Sequence, residues 1–128
     1  MAGKGSNNTV LIVDDQPDIR ELLRYSLQSR GLNVAEAVNG REAIELASQV
    51  HPSLILMDLS MPVLDGFEAT RQISSQPAMK GIPIVAVSAF CDSHNRHKAI
   101  EAGCVDCVSK PIDFRLIDSL LKVHLTDQ

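Results

Sequence analysis

The chain has 128 residues, a formal net charge of −4 and 45% hydrophobic residues, which suits one domain with a core of its own. Lys and Arg are scattered, with no basic stripe and no interleaved aromatics, so a nucleic-acid surface is not expected. No run nears the roughly 18 apolar residues that cross a bilayer. Aromatics make up 3% with no Trp, so Val, Leu, Ile and Ala must fill the interior. Three Cys without a secretion signal suggest reduced thiols in a cytoplasmic protein.

Residues 1–8 are small and polar and read as a flexible tail with no signal peptide, leaving residues 9–128 as one domain. Gly3-Lys4-Gly5-Ser6 lacks both the preceding strand and the first Gly of a phosphate loop. Thr9 to Val13 is a strand-like apolar run that ends in Asp14-Asp15. Pro17 and Asp18 suit the first turn of a helix, and Ile19, Leu22, Leu23, Ser26 and Leu27 form its core-facing stripe. Gly31 is placed to end that helix. Leu32, Val34 and Ala37 make a weak second strand.

Asn39 is the expected N-cap of a second helix with Ala43, Leu46, Ala47 and Val50 on one side. His51-Pro52 stops it before Leu54-Ile55-Leu56-Met57, a strand that closes on Asp58. Asp65-Gly66 reads as turn chemistry before a short helix over Phe67 to Ser74. Ile82 to Val87 forms a fourth strand running into Ser88. A fourth helix is expected over Asp92 to Ala102, ended by Gly103, with a poor apolar pattern. Cys104 to Val108 is a weak fifth strand before Ser109-Lys110-Pro111, and Ile117, Leu120, Leu121 and His124 mark a fifth helix from about Phe114. His51 and His124 read as helix-end residues, favourable near the negative end of the dipole.

Short strands alternating with helices predict an α/β fold around a parallel sheet. Right-handed crossovers then gather the strand-end loops at one edge, where ligands bind in open sheets. Asp14, Asp15, Asp58, Ser88 and Lys110 meet there. Three carboxylates so close repel one another unless a cation joins them. Hard oxygen donors with open positions suit Mg²⁺. A metal, a lysine, a hydroxyl and an in-line carboxylate are the parts that phosphoryl transfer uses.

The segments Val13-Asp14-Asp15-Gln16-Pro17, Met57-Asp58-Leu59-Ser60-Met61-Pro62, Leu64-Asp65-Gly66, Val87-Ser88-Ala89 and Ser109-Lys110-Pro111 stand in that order. With them the chain resembles the response-regulator receiver domains of two-component signalling, including the single-domain chemotaxis type, over roughly residues 9–125. The resemblance implies a flavodoxin-like, doubly wound sheet of five parallel strands in the order 2-1-3-4-5, with five helices on two faces. It implies that Asp58 is the phosphoacceptor and that Asp15, Asp58 and the main-chain carbonyl of Ser60 bind Mg²⁺. Asp14 is implied to act through a metal-bound water, Ser88 to donate to the phosphoryl group, and Lys110 to pair with it across a cis Lys110–Pro111 bond.

The implied partners are a histidine kinase or histidine phosphotransfer protein as donor and a downstream output protein. Neither nucleic acid nor membrane is expected, and the chain is expected to be a monomer or weak dimer. The implied switching surface is the fourth helix, fifth strand and fifth helix. A stand-alone protein is expected in preference to a receiver cut from a longer hybrid kinase.

Two positions depart from the pattern or modify it. Three residues before the lysine the family usually carries Tyr or Phe, whose ring moves inward when the hydroxyl is recruited; here it is Cys107, which cannot supply a ring. Phe90, two residues after Ser88, is expected to screen the phosphoryl group partly from water.

Cys91, His94, His97, Cys104 and Cys107 suggest a zinc or redox cluster, but steps of three along one helix rotate about 300° each and scatter ligands over its faces. Buried or idle thiols are the expectation.

Competing functions remain at this level. A haloacid-dehalogenase-like phosphatase uses a strand-end Asp but also a second Asp two residues on, where this chain has Ser60. A flavodoxin-type binder of FMN phosphate would be repelled by Asp14 and Asp15. A phosphorylation-independent interaction module is the third reading.

Overall fold

The strands are short and, the last apart, mostly aliphatic, and the helices between them return the chain so that neighbouring strands run parallel. In the computed structural model, which describes residues 8–89 and 91–125, the strands are β1 (Thr9–Val13), β2 (Asn33–Ala37), β3 (Leu54–Asp58), β4 (Ile84–Ser88) and β5 (Asp106–Ser109). The helices are α1 (Pro17–Gln28), α2 (Gly40–Val50), α3 (Gly66–Ser74), α4 (Ser93–Ala102) and α5 (Phe114–His124). The sheet order is β2-β1-β3-β4-β5, parallel throughout. The doubly wound flavodoxin-like expectation therefore holds. Of the expected tail over residues 1–8, residues 1–7 lie outside the described residues.

Alternation along the strands divides the core in two. Leu11, Val13, Ile55, Met57, Ile84 and Ala86 pack with Ala43 and Ala47 of α2, Ala69 and Ile73 of α3, and Ala99 of α4. Val10, Ile12, Leu54, Leu56, Val85 and Val87 pack with Leu23 and Leu27 of α1 and Ile117 and Leu120 of α5. So α1 and α5 cover one face, while α2, α3 and α4 cover the other. Among the described residues, no helix is long and apolar enough to cross a membrane.

Helix starts follow local chemistry. Asn39, Asp65, Asp92 and Asp113 accept bonds from the backbone N–H of Glu42, Glu68, Asn95 and Arg115, each satisfying an otherwise orphaned donor. Among the five α-helices described, only α1 lacks a side-chain cap; it starts on Pro17, whose missing N–H needs no partner.

Two strands are shorter than expected. β4 begins at Ile84 because Ile82 N instead donates to Met79 O, after an unforeseen 3₁₀ turn at Pro77–Met79. β5 begins at Asp106 because Cys104 N closes α4 by donating to Ala99 O at 2.9 Å, beside Gly103 at φ 126°. That closure has the bond pattern of a Schellman motif.

Register carries the fold to the site. Val13 pairs with Met57, Asp58 with Val87, and Ser88 with Ser109, so the strands end level at the carboxyl edge. Gly66, at the start of α3, lies against the backbone of Asp58 and Leu59, and a β-carbon there would overlap the Asp58 carbonyl. Gly66→Ala is expected to cost about 1–3 kcal/mol by overpacking. Urea unfolding checks this; stability equal to wild type would mean that the α3 start can yield.

Candidate functional site

The end of β1, the end of β3 and the loop after β5 deliver the charged groups to one another. Asp14 is 2% exposed and Asp58 4% exposed, while Asp15 points to solvent. One carboxylate oxygen from each of these three lies within 4.8 Å of the other two. Lys110 Nζ sits 3.0 Å from Asp14 Oδ2 and 3.5 Å from Asp58 Oδ2. The sequence-derived cluster is therefore assembled.

Backbone bonds fix each member. Asp14 Oδ1 accepts from Gln16 N at 2.9 Å, and its carbonyl accepts from Arg20 Nη1 at 2.9 Å. Asp58 Oδ1 accepts from Ser60 N at 3.1 Å. Lys110 N donates to Ser88 O at 2.8 Å, and the Lys110–Pro111 bond is cis, as the resemblance implied. Ser88 is buried at the end of β4. Leu64 N donates to Pro62 O at 2.8 Å around Val63 at φ 72°, a γ-turn conformation rare for a β-branched residue. This tight turn leads to Asp65, which caps α3 through Glu68 N, so Asp65-Gly66 starts a helix where turn chemistry was expected.

The electrostatics are unbalanced in the direction a cation would correct. Burial pushes the Asp58 carboxyl above its ordinary range and the Asp14 charge adds to that, against the opposing pull of Ser60 N–H and Lys110. For Lys110, burial works against the ammonium, but Asp14 and Asp58 together outweigh it and the net direction is upward. One ammonium thus faces two buried carboxylates with a third nearby. Hard oxygens at this spacing fit Mg²⁺, which takes few protein carboxylates and keeps several waters.

Beside the cluster, a cleft of about 470 Å³ is lined by Ser60, Met61, Asp65, Phe67, Ser88 and Ala89, with Asn95 and Lys98 from α4. Sequence reading missed Asn95, Lys98 and Phe67 as site neighbours. Lys98 Nζ stands 4.4 Å from the Phe67 ring centroid, a cation–π contact that links α3 to α4. No motif marks these residues, because their nearness depends on how two helices pack. Gln16 and Arg20 were missed for a similar reason: they act on Asp14 through the backbone. Phe90 lies outside the described residues.

The cysteine expectation needs correction. Cys91 and Cys107 are joined in a disulfide with Cα atoms 6.1 Å apart, so they are neither idle thiols nor zinc ligands. Cys91 precedes α4 instead of lying on it, and β5 pairs beside β4, which brings the two positions together. Cys104 is the free cysteine, buried against Thr70, and burial pushes its thiol up to about 11. Among the described residues, the one group of three or more metal-ligating side chains close enough to share an ion is Asp14, Asp15 and Asp58.

A five-stranded parallel sheet with an acidic cluster and a lysine at its switch point defines a signalling receiver. Consistent with this, residues 10–122 match the family model described as "Response regulator receiver domain". The chain belongs to that family. It is 32% identical over 119 residues to the polar-differentiation response regulator DivK of Brucella ovis, covering 93% of this chain and 97% of that protein.

Among solved structures it resembles the chemotaxis protein CheY4 of Vibrio cholerae (TM-score 0.87, 28% identity, 91% of this chain and 98% of that one). It also resembles the receiver domain of the sensor histidine kinase PA1611 from Pseudomonas aeruginosa PAO1, which has a magnesium ion coordinated in its active-site cleft. That likeness has TM-score 0.86 and 30% identity, over 93% of this chain and 98% of that one. Receiver domains of two-component systems are signalling switches, not conventional enzymes, and work with histidine kinases and output proteins.

The raised Asp58 pKa predicts a pH effect. A carboxyl whose folded pKa exceeds its unfolded value weakens the fold as pH rises from the unfolded value through the folded one, because the native state must give up a proton it holds more tightly. In chelated buffer, wild type should therefore lose stability relative to Asp58→Asn as pH rises above about 3.8. At neutral pH the variant should melt a few degrees higher. Thermal melts across pH check this; a variant less stable than wild type at neutral pH would contradict it.

Proposed function

We propose that the chain accepts a phosphoryl group on Asp58 from a phosphohistidine of a kinase or phosphotransfer protein, with Mg²⁺, and changes its partner-binding surface in response. The observation that carries this reading is the cluster itself: two buried carboxylates and an exposed third, with a lysine between the buried pair and a strand-end hydroxyl nearby. A structural salt bridge alone has no use for the extra negative charge. The magnesium in the related Pseudomonas receiver supports the same reading.

Asp15 and Asp58, with the Ser60 carbonyl, would hold the metal, and Asp14 would bind through a metal-held water. When bound, Mg²⁺ supplies positive charge against the phosphoryl oxygens. The protein's own groups do the rest. An Asp58 carboxylate oxygen forms the bond to phosphorus as the phosphorus–nitrogen bond of the donor breaks, leaving its electron pair on the imidazole. Ser60 N–H holds Asp58 Oδ1, so the carboxylate is oriented before attack. Lys110 exchanges part of its contact with Asp14 and Asp58 for a phosphoryl oxygen, and Ser88 donates its hydroxyl to another. The added charge then favours an altered arrangement of the loop after β4, the start of α4, and the α4–β5–α5 surface.

Incubation with Mg²⁺ and acetyl phosphate, read by intact mass, tests the reading. Wild type should gain one phosphoryl group, while Asp58→Ala or chelated wild type should gain none. Lys110→Ala should weaken Mg²⁺-dependent beryllofluoride binding by about 10-fold or more, the value of a charge-assisted bond. Modification that persists in Asp58→Ala would reject Asp58 as the acceptor. Absence of any modification in wild type would reject the function.

A further inference from the structure

The start of α4 and the residue before it are held to β5 by three links, at the adjacent residues Asp106 and Cys107. α4 itself is thinly anchored: its buried residues are Ala99 and Ala102, and small side chains supply little apolar contact. In compensation, Cys91 is disulfide-bonded to Cys107 in the middle of β5. One turn further on, Arg96 Nη2 donates to the Cys107 carbonyl at 2.8 Å, and its Nη1 donates to Asp106 Oδ1 at 2.9 Å. Cys91 is three residues past Ser88 and Cys107 three before Lys110, so the covalent link joins the two segments that bring the hydroxyl and the ammonium to Asp58.

We propose that Cys91 and Cys107 form a reversible redox site that clamps the start of α4 when oxidised and releases it when reduced. The electron acceptor is a low-molecular-weight disulfide of the glutathione class. Cys91 is half-buried beside a shallow pocket lined by Ser93, Arg96, His97 and Ile100, so a small disulfide can reach it. Its thiolate attacks one sulfur of that disulfide and expels one small thiol, which takes up the Cys91 proton. Cys107, buried behind it, then attacks the Cys91 sulfur in the mixed disulfide and expels the second thiol with the Cys107 proton. The protein loses two electrons and two protons, and the small disulfide gains both. Cys104 takes no part, since burial holds it as an inert thiol.

The consequence for signalling rests on the phosphoacceptor reading. Rearrangement around a modified Asp58 must move the loop between Ser88 and α4, and the bridge resists that movement. The oxidised chain should therefore take up the modified state less readily. By linkage, the modified state should favour the reduced pair by the same factor.

The test uses the full chain poised in glutathione buffers of differing redox ratio. Alkylation of the denatured protein should count three reactive cysteines in the reduced form and one, Cys104, in the oxidised form. Peptide mapping should join Cys91 to Cys107. Amide exchange over residues 91–97 should be slower when oxidised, and Mg²⁺-dependent beryllofluoride affinity about 5-fold or more weaker. Cys91→Ser should lose both oxidant responses and resemble the reduced chain, whereas Cys104→Ser should keep both. Three alkylated cysteines in every buffer, or a different pairing, would overturn the redox site. Equal amide exchange in the two forms would overturn the clamp. If exchange responds to oxidant but beryllofluoride binds neither form, the clamp stands and the phosphoacceptor reading fails.

Discussion

Lys110 holds together a site that would otherwise repel itself. Its ammonium reaches both Asp14 and Asp58, yet burial and the neighbouring charge still push the Asp58 carboxyl upward. The arrangement persists because the backbone leaves it little choice. β1 and β3 are adjacent parallel strands ending level, so their terminal carboxylates must approach. Ser88 O anchors Lys110 N, which fixes where the lysine leaves the sheet edge. Gly66 lets α3 start against the Asp58 backbone. The stability of the aliphatic core on both sheet faces offsets the local repulsion, and a site so charged has something to gain from a cation.

Much of this was legible in the chain. Apolar runs closing on Asp14-Asp15, Asp58 and Ser88 announce parallel strands whose ends share an edge, because period, length and terminal chemistry agree. Asn39 was readable as a cap for the same reason: its amide supplies what the first turn lacks. The starts of β4 and β5 were not readable. There the backbone groups of Ile82 and Cys104 go to a turn and a helix closure in place of the ladder, and tertiary context decides such competition.

The cysteines show a different limit. Cys91, His94 and His97 at equal steps suggest one helix, but Asp92 caps α4 and leaves Cys91 outside it. Cys91 and Cys107 are 16 positions apart in the chain, and the β4–β5 pairing brings them together. The neighbourhood of Phe67, Asn95 and Lys98 was hidden in the same way, since it depends on the packing of α3 beside α4. Short-range chemistry is written in the chain; contacts between elements that cross the sheet are not.

Cys107 joins these threads. Where the family usually places a ring that responds to the hydroxyl, this chain places one end of a covalent link to the loop that follows the hydroxyl strand. In the proposed switch, that link and the Arg96 bonds to β5 would restrain the start of α4, with no ring there to rotate. The central claim nevertheless remains the cation-seeking carboxylate cluster, and calorimetric titration with Mg²⁺ tests it most directly. The account predicts a single site that is strongly weakened in Asp15→Asn and abolished in the Asp15→Asn, Asp58→Asn double variant. No binding at millimolar Mg²⁺, or equal binding in all three proteins, would contradict it.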